Sequence, residues 1–300
     1  MKTSTKHSIY AKITLFAAAL IWGSSFFVMK NVVDVFPPSL LLAIRFTIGF
    51  VLLSLFFFKR LKNLNWEYLK IGAVIGFFLA MAYGIQTLGL TDTTPGKNAF
   101  LTAVYCVIVP FLYWIVDKRR PDGYNILAAF LCIGGIGLVS LSGGFSITFG
   151  DSFSLLSGLF YALHIVAVAK LGIGRDMTLI TILQFGYAAL FCWIIGLTTE
   201  TWPTVIPSDC FYQLVYLGVF ATTIALLFQN IGLKWENPSS ASIILSLESV
   251  FGVLFSVLFY GEQMSGRLFL GFFIIFIAII ISETKLSFLR KNPVKKDPMP

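Results

Sequence analysis

The sequence predicts an all-α polytopic membrane protein with ten transmembrane helices, arranged as two inverted five-helix repeats. Three observations predict it. Of 300 residues, 57% are hydrophobic and 12% charged, with mean hydropathy +0.87; soluble domains average roughly 45–50% apolar and about 25% charged. The apolar residues gather into ten stretches close to the roughly 20 residues that span a bilayer core. Two short blocks also recur, QTLGLTDTTPG at 86–96 and QNIGLKWENPS at 229–239, so that Gln86/Gln229, Gly89/Gly232, Leu90/Leu233 and Pro95/Pro238 coincide at one constant spacing.

The first-half segments lie near 11–31, 39–58, 68–90, 96–116 and 124–143, and the second-half segments near 151–170, 178–198, 210–232, 238–260 and 267–283. Each is bounded by residues that break helices or prefer water. Pro37-Pro38 separates the first two, and the basic run Lys59 to Lys62 ends the second. Pro95-Gly96 opens the fourth, Lys118 to Pro121 closes it, and Gly143-Gly144 closes the fifth. Pro203 to Pro207 follows the seventh, Pro238 opens the ninth, and Gly261 to Gly266 separates the last two. The basic start and first apolar run have the outline of a cleavable leader. However, residues 19–30 (ALIWGSSFFVMK) align with 158–169 (GLFYALHIVAVA), and Phe46 meets Phe185 at the same spacing. The first segment is therefore expected to be a retained repeat element. The expected organisation is a first repeat at 1–145, a second at 146–284, and a basic cytoplasmic tail at 285–300.

Charge tests the segmentation. With the N-terminus inside, eighteen of the 22 Lys and Arg residues face the cytoplasm; Lys30, Lys97 and Arg267 lie outside, and Arg45 lies within a segment. That bias supports a multi-pass protein of the cell (inner or plasma) membrane with both termini cytoplasmic. Five helices per half is odd, so the second half enters the bilayer upside down, the arrangement of alternating-access carriers. The net charge of +8 resides in short clusters between apolar runs, which are topology signals and not a nucleic-acid face. Cys106, Cys132, Cys192 and Cys210 do not form a disulfide framework, three of them lying inside apolar runs.

Four stretches carry a family resemblance: IWGSSF (Ile21 to Phe26), Arg45-Phe46, TPGKNAFLTAVYCVIVP (Thr94 to Pro110), and NPSSASIILSLESVFGVLFSVLFYGEQMS (Asn237 to Ser265). Over about residues 10–283 the chain resembles the drug/metabolite transporter (DMT) superfamily, in its duplicated, ten-helix EamA-type branch. It departs in the first half, where Asp117-Lys118-Arg119 replaces Gly261-Glu262 and Tyr105 stands where the second half has Glu248. The resemblance implies a secondary active transporter, often an exporter, of small organic metabolites such as amino acids or drug-like compounds.

Ionisable groups inside a bilayer cost roughly 2.5–3.5 kcal/mol on insertion scales, so each needs a reason. Glu248 lies well inside the ninth segment; it can carry a proton or meet a cationic substrate, or it can make a structural hydrogen bond. His164 is central in the sixth and suits either a titrating role or packing. Arg45 in the second reads chiefly as a structural lock, with an anionic substrate as the alternative. Lys97 opens the fourth helix, where a free N-terminus already attracts anions, although snorkelling explains it equally. Under the family architecture, Trp22, Ser25, Gln86, Tyr105, Tyr161, Gln229 and Asn230 line a central cavity with these groups. Trp22 and Tyr161 meet in the repeat alignment and form two aromatic walls. Pro95, Pro238 and Glu262 read as structural, and Gly72, Gly76, Gly134, Gly135, Gly137 and Ser140-xxx-Gly144 as sites of close helix approach.

No catalytic cluster, metal set or cofactor site is expected: His7 and His164 are the only histidines, and no phosphate-binding glycine loop occurs. A sensor or structural subunit without transport activity is the alternative, but it would need neither an inverted repeat nor mirrored central polar residues. The expected partners are a small-molecule substrate and the lipid bilayer, without nucleic acid; a homodimer is compatible with the sequence. Single-cysteine labelling of intact cells should leave residues at both termini unreactive to an impermeant reagent. Termini on opposite sides would contradict ten crossings.

Overall fold

The computed structural model describes residues 5–118, 120–141, 147–235 and 238–286. Its helices follow the apolar stretches: α1 (Thr5–Val33), α2 (Pro38–Phe56), α3 (Trp66–Thr91), α4 (Pro95–Val116), α5 (Gly123–Ser140), α6 (Phe149–Leu171), α7 (Met177–Thr199), α8 (Ser208–Leu233), α9 (Pro238–Phe255, continued over Ser256–Tyr260) and α10 (Gly266–Thr284). Among the described residues nine are long and apolar enough to cross a membrane; the apolar part of α9, Ile244–Tyr260, is shorter. The chain is a polytopic all-α membrane protein. The expected Ser140-xxx-Gly144 pair and most of the basic tail lie outside the described residues.

The helix starts are fixed by short polar residues at their N-caps. Asn65 accepts from Tyr68 N, Thr94 from Lys97 N, Thr148 from Asp151 N and Ser265 from Leu268 N, while Asp122 and Asn125 cap α5 reciprocally. The ends of α4 and α9 share a backbone feature. Lys118 has φ 59° and Gly261 φ 78°, and the two positions are related by the spacing that relates Pro95 to Pro238. The repeat thus extends to the left-handed residue that terminates each helix.

The main contacts join the halves instead of completing each half alone. α1 packs on α8 and α9, and α6 packs on α3 and α4. α2 packs on α7, and α5 on α10. Exchanging the two halves maps this set of contacts onto itself. At the α2–α7 crossing the aligned rings Phe46 and Phe185 stack on each other, with centroids 5.9 Å apart. Small residues set the close approaches: a Cβ at Gly72 would lie 2.5 Å from Leu183 Cβ, and one at Gly76 2.7 Å from Tyr187 Cβ, both on α7. On α5 only Gly135 plays this part, against Ile275; Gly134 meets nothing within 4 Å and Gly137 only Leu141. The expected glycine face of α5 therefore narrows to one residue.

Among the described residues three helices depart from regular α geometry: α4 and α8, and α9, whose end at Ser256–Tyr260 winds as a π-helix. Pro110 removes a backbone donor within α4, and the Cys106 carbonyl that this donor would have reached accepts instead from Ser282 Oγ of α10 at 3.0 Å. In α8, Leu217–Ile224 winds as a wider π-helix; Thr222 and Thr223 hydroxyls donate to the carbonyls five residues back, Leu217 and Gly218. The widened turn offers the Ala221 carbonyl to Trp22 Nε1 of α1 at 2.8 Å.

The starts of α1 and α5 and the ends of α8 and α10 share one face, here the terminal face: Gly232 packs on Ala11 and Leu15, and Lys285 pairs with Asp122. The far face carries a polar network. Lys30 Nζ donates to the Leu90 and Thr91 carbonyls at 3.0 and 3.2 Å and pairs with Asp34. Buried Asp151 accepts from Lys97 Nζ at 3.0 Å and Thr93 Oγ1 at 2.6 Å. Buried Glu262 accepts from Thr94 Oγ1, Ser256 Oγ and Gly96 N, seating its carboxylate on the positive start of α4.

Two stability predictions follow from these contacts. Gly76→Leu should destabilise the detergent-solubilised protein by about 1–3 kcal/mol through overpacking against α7, read as a lowered thermal midpoint. Glu262→Ala should cost about 1.5–3 kcal/mol, the range for hydrogen bonds to a charged group, with Glu262→Gln less damaging because it keeps an acceptor. An unchanged midpoint in either alanine or leucine variant would contradict the packing described.

Candidate functional site

A cavity of about 230 Å³ lies between the halves. Its lining comes from α1, α2, α3, α4, α6, α7, α8 and α9, and most of it falls into pairs related by the repeat. Trp22/Tyr161, Ser25/His164, Phe26/Ile165 and Arg45/Gln184 stand at the spacing that relates Phe46 to Phe185. Leu79/Thr222, Tyr83/Leu226, Gln86/Gln229 and Tyr105/Glu248 stand at the spacing that relates Pro95 to Pro238. Met29, Thr102, Phe185 and Ala221 complete it. The positions are duplicated while the side chains mostly are not.

On one side Gln86 organises the wall. Its Oε1 accepts from Tyr161 Oη at 2.9 Å, its Nε2 donates to Thr102 Oγ1 at 3.1 Å, and its carbonyl accepts from Asn98 Nδ2 at 3.1 Å. Tyr161 packs edge-on against Tyr83, centroids 5.2 Å apart, and beside Tyr105 at 6.0 Å. Trp22 is anchored by its bond to Ala221, and Ser25 Oγ turns back to the Trp22 carbonyl at 2.7 Å. Also in the lining, His164 Nε2 and Gln184 Oε1 lie 2.9 Å apart. Glu248 enters from α9, whose backbone is held close to α1 by Gly23: a Cβ there would lie 2.9 Å from the Glu248 carbonyl.

Arg45, read from the sequence chiefly as a packing lock, is at the cavity wall. Nε donates to Thr222 Oγ1 at 2.8 Å, Nη1 lies 3.0 Å from Met29 Sδ, and the guanidinium sits 4.8 Å from the Tyr83 ring centroid. It ties α2 to α8 and also borders the open space.

Lys97 is not part of the lining, which corrects the expectation that it faces the solute. Its ammonium is neutralised by Asp151 in the far-face network. The Asn230 and Pro238 side chains lie outside the described residues. Pro95 is buried at the first position of α4, beside Glu262. Sequence reading missed Tyr83, Thr102, Gln184 and Thr222. Gln184 carried a signal, since it precedes Phe185 as Arg45 precedes Phe46; Thr222 had none, because the π-helix that turns it inward leaves no local pattern.

Comparison with known proteins places this architecture. The EamA-like transporter family matches residues 9–141 and again 148–284. The chain is 33% identical over 279 residues to an uncharacterized transporter of Archaeoglobus fulgidus, covering 93% of this chain and 87% of that one. It is 25% identical to the protein PecM of Dickeya dadantii over 288 residues, covering 93% and 94%. It is likewise 25% identical to an uncharacterized inner membrane transporter, YedA, of Escherichia coli over 281 residues, covering 89% and 88%. A solved crystal structure shares the fold with a TM-score of 0.65 at 18% identity, covering 94% of this chain and 99% of that one. The chain belongs to the EamA-like transporter family.

Proposed function

We propose that this membrane protein is a secondary active transporter that exports small organic metabolites, such as amino acids or drug-like compounds, by rocking two five-helix units about the central cavity. The observation that carries this reading is the repeat-paired lining. A solute bound there touches equivalent positions of both halves, so exchanging the conformations of the halves moves the opening from one face to the other. The units in this reading are 1–145 and 146–284, with the terminal face and the tail at 285–300 in the cytoplasm, which the Lys/Arg bias favours. The far-face network supports loading from the terminal side, because Lys97–Asp151 and Glu262 tie the two halves to each other there.

Glu248 is the coupling residue in this reading. It is the carboxyl among the described cavity-lining residues, and a carboxyl can take up and release a proton. Solute and proton then compete for, or share, one site that both halves reach. Proteoliposomes loaded with a pH-sensitive dye and challenged with a mixture of the twenty amino acids should show solute-dependent proton movement. Glu248→Gln should slow it by at least about tenfold, the scale of one lost charge-dependent contact, and flatten its pH dependence. A variant equal to the parent in rate and pH profile would remove Glu248 from the mechanism.

A further inference from the structure

We infer that the cavity is a site for solutes bearing a single carboxylate, and that Arg45 is the residue that receives it. The inference rests on the carrier reading and names the chemistry of its cargo.

Arg45 is 1% exposed and carries its charge at any physiological pH. The groups in direct contact with it are neutral: a threonine hydroxyl, a thioether and a tyrosine ring. The Glu248 carboxyl shares the cavity and acts on it electrostatically, but among the described residues no carboxylate lies within 4 Å of it. The other cations that approach the interior are matched: Lys30 pairs with Asp34 at 3.3 Å and Lys97 with Asp151 at 3.0 Å. A buried guanidinium without an adjacent anion is costly, so its retention calls for a role that the fold alone does not supply.

The repeat shows that the fold does not require the charge. Gln184 occupies the equivalent position on α7, beside the same stacked phenylalanine pair, and is satisfied by His164. A neutral amide therefore meets the packing demands of this site in one half. The first half replaces it with a residue whose fork is suited to two parallel hydrogen bonds to a carboxylate, and that residue borders the cavity. Nε and Nη1 are engaged by Thr222 and Met29, which orients the guanidinium before a solute arrives.

The anion is a monoanion. One guanidinium is the cavity's described permanent cation, and Glu248 also lines the cavity, so a second negative charge on the solute would have no second fixed cation to meet. The rings of Trp22, Tyr83, Tyr161 and Phe185 in the lining accommodate an apolar or aromatic body behind the carboxylate.

The test uses the full-length purified protein in detergent and matched pairs of probes: acetate and acetamide, benzoate and benzamide, phenylacetate and phenylacetamide. At least one carboxylate should bind the parent about tenfold or more tightly than its amide, measured by calorimetry or thermal shift, and Arg45→Gln should abolish the difference while Arg45→Lys keeps part of it. A second measurement needs no variant. Phenylglyoxal modification of Arg45, followed by mass spectrometry, should be slowed by the preferred carboxylate and not by its amide. Equal binding across every pair, or carboxylate protection that never reaches Arg45, would overturn the proposal. The carrier reading fails separately: carboxylate binding without any flux in proteoliposomes would reject transport and keep the anion site, whereas flux of amides and amines equal to that of carboxylates would reject the anion site and keep the carrier.

Discussion

The structure depends on one constraint: within hydrocarbon, every backbone and side-chain polar group must find its partner inside the protein. Here several of the decisive partners come from the opposite half. The carbonyl freed by Pro110 in the first half is bound by Ser282 of the second. The carbonyl opened by the π-helix of the second half is bound by Trp22 of the first. Arg45 reaches Thr222, Gln86 reaches Tyr161, and Glu262 seats the start of α4. Neither half can satisfy these groups alone, which is why the principal helix contacts cross the repeat and why the cavity lies on its axis.

Duplication supplies positions, and divergence supplies chemistry. Trp22/Tyr161 and Gln86/Gln229 keep related side chains; Ser25/His164, Arg45/Gln184 and Tyr105/Glu248 do not. The far-face network diverges in the same way. Lys30 corresponds to Ala169, Lys97 to Ser240, and Glu262 to Arg119. A carrier with identical halves would have equal gates at both faces. Here the residues of the far-face network have no chemical counterparts in the equivalent sequence positions, so the two faces are not held together by the same chemistry.

Much of the fold was legible because hydropathy and punctuation are local. The expected segment 68–90 became Trp66–Thr91, 96–116 became Pro95–Val116, and 178–198 became Met177–Thr199. Pro37-Pro38, Pro95 and Gly261 each mark a boundary through backbone geometry that their sequence fixes. The site was legible where the repeat could be aligned, as with Trp22, Tyr161, Gln86 and Gln229. It was illegible where a residue's role depends on which helix it meets. Lys97 looked like a free cation at a helix start, but Asp151 arrives from α6 to neutralise it. Arg45 looked like a lock, and only the crossing of α2 with α8 shows that it also borders the cavity. The π-helix of α8 has no composition signature, so neither Thr222 nor the Ala221 carbonyl could be assigned in advance.

The central claim is that one cavity, built on paired positions of two inverted halves, opens alternately to the two faces. Accessibility of a cysteine at Ser25, in a protein whose Cys106, Cys132, Cys192 and Cys210 are replaced, tests it most directly. Ser25 lies in the cavity wall on α1, and serine to cysteine is nearly isosteric. In proteoliposomes of known orientation, an impermeant thiol reagent should modify this cysteine from either face, with transported solute changing the ratio of the two rates. Modification from one face alone, unchanged under every solute and pH condition tried, would contradict alternating access.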